Sequence, residues 1–139
     1  MLIKKNMQKE KGWKPIPLSL KILFAVFIFW TFGSILNAPN LYVSGVPLLG
    51  MFVYGISAIL VALFFDIVGP MTFLYALWNR KSWAVVWAFT YIGIFIFNSI
   101  VALFTVTVRE QLGLVPMLIP TIVSIIFLIV IYTKRSYFK

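Results

Sequence analysis

The stretch that decides the fold is Ser57-Ala-Ile-Leu-Val-Ala-Leu-Phe-Phe-Asp-Ile-Val-Gly-Pro-Met-Thr-Phe-Leu-Tyr-Ala-Leu-Trp78, an apolar segment that contains a single carboxylate, Asp66. About 20 apolar residues are enough for a helix to cross the hydrocarbon core of a bilayer. A carboxylate is costly in that environment, so an acid inside such a segment is a functional hypothesis by default. The stretch predicts a membrane-spanning helix organised around Asp66.

The composition of the whole chain points to the same environment. Of the 139 residues, 63% are hydrophobic and 11% are charged, which is far from the average of soluble proteins. The net charge is +9, but every Lys and Arg except Arg109 lies at or beside the end of an apolar run. The positive-inside rule explains such clusters, so the charge indicates membrane topology rather than nucleic-acid binding.

The absence of Cys and His from the sequence narrows the possible chemistry. Thiolate nucleophiles, imidazole bases and the usual ligands of zinc, haem and copper are all missing. The three acidic residues are scattered along the chain and form no catalytic cluster. We therefore expect no enzyme activity, no cofactor and no metal site.

These patterns predict an all-α polytopic membrane protein, a four-transmembrane-helix bundle in the cell membrane with both termini cytoplasmic. A basic leader (1–17) precedes the bundle (18–133), and a basic tail (134–139) follows it. The predicted helices cover about 18–38, 51–78, 82–106 and 116–133. The stretch between the first two is rich in Gly and Pro and reads as an external turn, and residues 107–113 read as a second external connection.

Pro70 predicts a break in the second helix. Proline has no N–H to donate, so in an α-helix the carbonyl of Asp66 would lose its usual partner. A carboxyl group and a freed carbonyl would then lie at the same point of the membrane.

Counting along each helix at about 1.5 Å per residue suggests a polar layer. Asp66, Asn98, Thr121 and Ser34 each lie about 20–25 Å from the basic cluster at the end of their helix. We expect these four side chains to share one depth, with Asn98 as the partner of Asp66. They are the candidate residues for an ion site, a proton site or a polar core.

A row of small residues predicts which side of the second helix packs against its neighbours. The row consists of Gly55, Ala58, Ala62 and Gly69, which recur at intervals that return to the same helix face as Asp66. Small residues allow close contact between helices in lipid, where the hydrophobic effect does little to bring helices together. Asp66 is therefore expected to face the bundle interior or an oligomer interface.

The turn Leu74-Tyr-Ala-Leu-Trp-Asn-Arg-Lys-Ser-Trp-Ala84 joins an apolar helix to the next through a basic pair between two tryptophans. It resembles the hairpin of many small uncharacterised four-helix membrane proteins of bacteria and archaea. That resemblance covers this one hairpin, and it implies no function and no site residues.

Two functions remain open for this sequence. The first is a non-catalytic membrane subunit or scaffold, in which protonated Asp66 fixes helix register and the partners are other membrane subunits or copies of the same chain. The second is a small oligomeric proton- or cation-coupled transporter or channel in which Asp66 takes and releases the ion. In both cases the basic termini contact anionic lipid headgroups.

Overall fold

A computed structural model describes residues 11–139 of the chain. Four apolar helical segments of membrane-spanning length dominate it, and 79% of the structure is helical. The prediction of a helical chain with four such segments is confirmed. The first ten residues of the predicted basic leader lie outside the described residues.

The elements follow one another in a simple order. Helix α1 covers Leu18–Ser44, strands β1 and β2 cover Val46–Leu48 and Met51–Val53, and α2 covers Ile56–Ala62. A π-helical turn at Leu63–Val68 joins α2 to α3 (Gly69–Trp78), and these three pieces form the second span. Helix α4 (Ala84–Phe104), the short α5 (Val106–Leu112), α6 (Leu114–Thr133) and a 3₁₀ helix (Arg135–Phe138) complete the chain.

The first helix continues beyond its predicted end at Ala38, through Pro39 to Ser44. A proline removes a single helical hydrogen bond, which membrane helices tolerate when other groups satisfy the backbone. Gly45 ends the helix instead, with a φ of 78° and its N–H donated to the carbonyl of Leu41. The helix therefore stops where the backbone turns left-handed.

A β-hairpin replaces the predicted start of the second helix at residue 51. Strand β1 pairs with β2 in antiparallel register, and the turn between them has positive φ at both Leu49 and Gly50. Two positive φ angles are the geometry of a type I′ hairpin turn. Gly55, with a φ of 63°, then separates the hairpin from α2.

The other two spans differ from the prediction at their ends. Helix α4 starts at Ala84 rather than 82 and ends at Phe104, because Thr105 is extended. The predicted polar loop at 107–113 is largely helix α5, and α6 begins at Leu114, with Pro116 in its first turn where a proline is tolerated.

Helix α1 packs against all three pieces of the second span and against α6, while α4 packs against α3 and, most extensively, α6. One aromatic side chain from each span meets in the core. Phe27 lies 5.8 Å from Phe73, 6.4 Å from Tyr91 and 5.1 Å from Phe127 between ring centroids. We call these four side chains the aromatic layer.

Both ends of the described chain lie at the same end of the bundle, which we call the basic end. The N–H of Gly12 donates to the carbonyl of Trp78, and the Arg80 Nε donates to the carbonyl of Tyr137 at 3.0 Å. Phe138 is fully buried in the core. Burial raises the pKa of the Tyr137 hydroxyl, the Arg80 guanidinium opposes that shift, and the hydroxyl donates to the carbonyl of Leu77.

Gly69 and Gly93 make a matched pair for testing this packing. A Cβ at Gly69 would lie 2.7 Å from the Tyr91 ring, whereas a Cβ at Gly93 would have no neighbour within 4 Å. We expect Gly69→Ala to lower the free energy of unfolding by about 1–3 kcal/mol through overpacking. Gly93→Ala should change it by less than about 1 kcal/mol, in the stabilising direction. Reversible unfolding in mixed detergent micelles measures both, and equal effects would contradict the close contact at Gly69.

Candidate functional site around Asp66

Asp66 lies within the π-helical turn of the second span, next to the break that Pro70 imposes. In this widened turn the N–H of Gly69 donates to the carbonyl of Phe64, five residues earlier. The carbonyl of Asp66 accepts instead from the Thr31 hydroxyl of α1 at 2.8 Å. The missing N–H of Pro70 predicts that this carbonyl lacks a helical partner. The Thr31 side chain of the neighbouring helix satisfies it instead.

The carboxylate of Asp66 is also bonded to α1. The indole Nε1 of Trp30 donates to Asp66 Oδ1 at 2.8 Å, and Ser34 lies next to the same carboxylate one helical turn along. Three neighbouring positions of one helix therefore hold both polar groups of Asp66. In lipid, where water is scarce, such side-chain bonds join helices that have little other reason to associate.

Asn98 does not bond Asp66, so the predicted pairing of these two side chains is wrong. The Asn98 Oδ1 accepts from the N–H of Leu49 at 2.7 Å, and its Nδ2 donates to the carbonyl of Pro47 at 3.1 Å. Asn98 therefore bonds strand β1 and the first residue of the turn, and it fixes the hairpin to α4. The N–H of Leu49 and the carbonyl of Pro47 need hydrogen-bond partners, and the Asn98 amide bonds them rather than Asp66.

The remaining members of the predicted polar layer separate into two groups. Ser34 reaches Asp66, as described above. Thr121 is buried, and its hydroxyl donates to the carbonyl of Met117 in its own helix at 2.8 Å. Ser34 therefore lies at the carboxylate, as the depth count predicts. Thr121 is a buried residue whose hydroxyl is bonded within its own helix.

The predicted row of small residues lies mainly inside the molecule. Ala58 and Ala62 are buried in a segment that packs against α1, and Gly69 is buried beneath the Tyr91 ring of α4. Gly55 is half-buried and precedes the helix, where its positive φ serves the chain turn. This face of the second span therefore packs inside the bundle, against α1 and α4.

A cavity of about 140 Å³, which we call the hairpin cavity, reaches Asp66 from the end of the bundle opposite the basic end. The hairpin, α2, the π-helical turn, α4, α5 and α6 all contribute to its wall. Its polar side chains are Asp66, Asn98 and Ser99, and three prolines, Pro47, Pro116 and Pro120, lie among its apolar neighbours. Asp66 and Asn98 thus share a cavity although they share no bond.

A smaller cavity of about 40 Å³ lies on the other side of Asp66. Phe27, Tyr91 and Phe127 of the aromatic layer line it together with Asp66 and Ser124. Among the described residues, the buried Tyr91 hydroxyl has no hydrogen-bond partner. The space is large enough for one or a few waters, and buried water commonly satisfies groups of this kind.

Trp30 and Thr31 are the site residues that sequence reasoning missed. Trp30 stands in an apolar run among other aromatic residues, although its indole N–H is a hydrogen-bond donor that needs a partner in lipid. Both residues precede Ser34 by about one helical turn. Counted from Lys21 at about 1.5 Å per residue, they lie about 13–15 Å deep, against about 21 Å for Asp66 counted from Arg80, so a depth count does not select them.

No protein-family model, curated protein or solved structure matches this chain. The function is therefore inferred from the geometry of the site.

Asn98→Leu tests whether Asn98 holds the hairpin. The substitution keeps the approximate size of the side chain and removes both bonds to the turn, at a cost of about 1–2 kcal/mol. Amide hydrogen exchange at Leu49 should therefore accelerate about 5–30-fold. Ser99→Ala is the control, because the Ser99 hydroxyl donates to the carbonyl of Phe95 in its own helix. Unchanged exchange at Leu49 in Asn98→Leu would show that the amide does not stabilise the hairpin.

Proposed function

We propose that the protein is a non-catalytic integral membrane subunit that acts as a scaffold within a larger membrane complex. The observation that carries this proposal is that three central polar side chains of the bundle, Asp66, Asn98 and Thr121, are bonded to structural partners. Asp66 joins the second span to α1, Asn98 joins α4 to the hairpin, and Thr121 bonds its own helix. These side chains give the bundle a defined shape rather than a reactive centre.

The proposed setting is the cell membrane, with the basic end in the cytoplasm. Lys11, Lys14, Arg80, Lys81 and the basic tail lie beyond the helix ends on that side, where the positive-inside rule places them. Trp13, Trp78 and Trp83 sit at the same end and suit the headgroup region. Anionic headgroups are the expected lipid partners of this surface.

The outer surface of the bundle is the part available for partners. In none of the four spans is more than 28% of the most apolar window buried inside the molecule. Gly33 of α1 is exposed on this surface, and a Cβ there would have no neighbour within 4 Å. Exposed small residues let a second helix approach closely in lipid, so we place a subunit contact on the Gly33 side of α1.

Gly33→Leu tests this contact. Because the site has room, the bundle should fold as before, but the larger side chain should keep a neighbouring helix away. After mild solubilisation, native electrophoresis of the wild type should show a complex larger than the 139-residue chain. In Gly33→Leu the amount of this complex should be at least tenfold lower. Gly93→Leu is the control, at a half-buried position of α4 where a Cβ would also have no neighbour within 4 Å. A wild-type protein that migrates as a monomer from its native membrane would overturn the scaffold proposal.

A second function, a small proton- or cation-coupled transporter, is favoured by the hairpin cavity that reaches Asp66. Ion sites of transporters often lie beside broken helices within the membrane, as Asp66 does here. The aromatic layer separates the carboxylate from the basic end, so transport would require these rings to move.

Asp66→Asn tests the transport function, because it preserves size and hydrogen bonding and removes the titrating group. If Asp66 carries the ion, proton or cation flux into liposomes containing the purified protein should fall to the level of empty liposomes. Thr121→Val, which alters a buried hydroxyl bonded within its own helix, should retain the flux. Flux that persists undiminished in Asp66→Asn would remove Asp66 from any transport role.

A further inference from the structure

The hairpin cavity has a lining that selects for one kind of ligand. Its volume of about 140 Å³ is close to that of engineered apolar cavities that bind benzene, a ligand of about six heavy atoms. Among the described residues that line it, Asp66 is the one ionisable side chain. The wall includes no lysine or arginine from the described chain, so the charge of the cavity can only be neutral or negative.

Hydrogen-bond acceptors dominate the polar part of this wall. Pro47, Pro116 and Pro120 have no N–H groups. Asn98 uses one of its two Nδ2 protons on the Pro47 carbonyl and keeps one N–H, and the Ser99 hydroxyl uses its proton on the carbonyl of Phe95. The Asp66 carboxylate and the Ser99 oxygen keep lone pairs that can accept from a ligand. A ligand that donates hydrogen bonds therefore fits, and an anion does not.

The apolar part of the wall decides between an inorganic and an organic cation. Inorganic cations of the hard type take about six oxygen ligands, which this cavity does not supply. Val61, Ala62 and Met117 suit an alkyl group instead, and the rings of Phe65 and Phe95 add aromatic surface that attracts organic cations.

We propose that the hairpin cavity is a binding site for a small alkylammonium ion, whose ammonium group pairs with Asp66 and Ser99 and whose alkyl group fills the apolar wall. This site goes beyond the scaffold proposal and needs none of its subunit contacts. The bond from Trp30 keeps Asp66 Oδ1 in place, so the carboxylate is positioned before the ligand arrives.

Isobutylammonium is a suitable probe, since it has five heavy atoms, and isobutanol and isobutyrate serve as its neutral and anionic counterparts. The protein is reconstituted in nanodiscs of zwitterionic phosphatidylcholine, which avoids binding of the cation to anionic lipid. The readout is the NMR signal of the Trp30 indole N–H, assigned by its loss in Trp30→Phe. Isobutylammonium should shift this signal saturably, at concentrations at least tenfold below those at which isobutanol acts, and isobutyrate should have no effect.

Four variants separate this site from general effects. Asp66→Asn should weaken binding at least tenfold while retaining an oxygen for the Trp30 bond, and Ser99→Ala should weaken it several-fold. Thr90→Val is the matched control, because Thr90 also donates to a carbonyl of its own helix but lies outside the cavity. Gly33→Leu should bind isobutylammonium like the wild type, so loss of the subunit contact and loss of the ligand site can be told apart.

The proposal is overturned if isobutanol shifts the indole signal at the same concentrations as isobutylammonium, because recognition would then not depend on charge. It is also overturned if Na⁺ binds more tightly at the same signal, or if all three probes leave the signal unchanged. Should Asp66→Asn fail to fold, the comparison of Ser99→Ala with Thr90→Val decides the question on its own.

Discussion

The structure depends on the bonds between α1 and the widened turn at Asp66. Pro70 removes an N–H from the second span, and a bilayer around this span would offer no water to replace it. Thr31 donates to the carbonyl of Asp66, Trp30 donates to its carboxylate, and Ser34 lies beside that carboxylate. Because one helix supplies all three groups, the two spans are fixed in both depth and rotation. The small residues Ala58 and Ala62 then allow the close approach that these short bonds require.

The position of Asp66 also accounts for the cavity beside it. Since α1 satisfies the carboxylate, Asn98 on the opposite side is free to bind the hairpin turn. The hairpin folds back over the bundle, and Pro47 becomes part of the cavity wall. On the other side of Asp66, the rings of Phe27, Phe73, Tyr91 and Phe127 fill the bundle. The carboxylate therefore stands between the hairpin cavity of about 140 Å³ and an aromatic region that leaves only about 40 Å³ of space.

The four spans and the break at Pro70 could be predicted because they depend on length, hydropathy and a missing N–H, all of which are local. The partner of Asn98 could not, because a count of residues gives depth but not the direction in which a side chain points around its helix. The hairpin could not be predicted from the sequence for a different reason. Its turn places Leu49 at positive φ, where Asn, Asp or Gly normally marks a type I′ turn. Leu49 gives no such local signal. The side chain that bonds this turn residue belongs to Asn98, 49 residues away in the sequence.

A structural role for Asp66 and a ligand-binding role are compatible, and the count of hydrogen bonds shows why. A carboxylate offers about four acceptor sites on its two oxygens. Trp30 uses one of them, and the bond from Thr31 goes to the backbone carbonyl instead. Even with Ser34 beside it, the carboxylate keeps acceptor capacity on the side of the hairpin cavity. The bonds to α1 also reduce the motion of the side chain, and a group that is fixed in advance loses less freedom when it binds. The same contacts that hold the first two spans together thus prepare the carboxylate for a ligand.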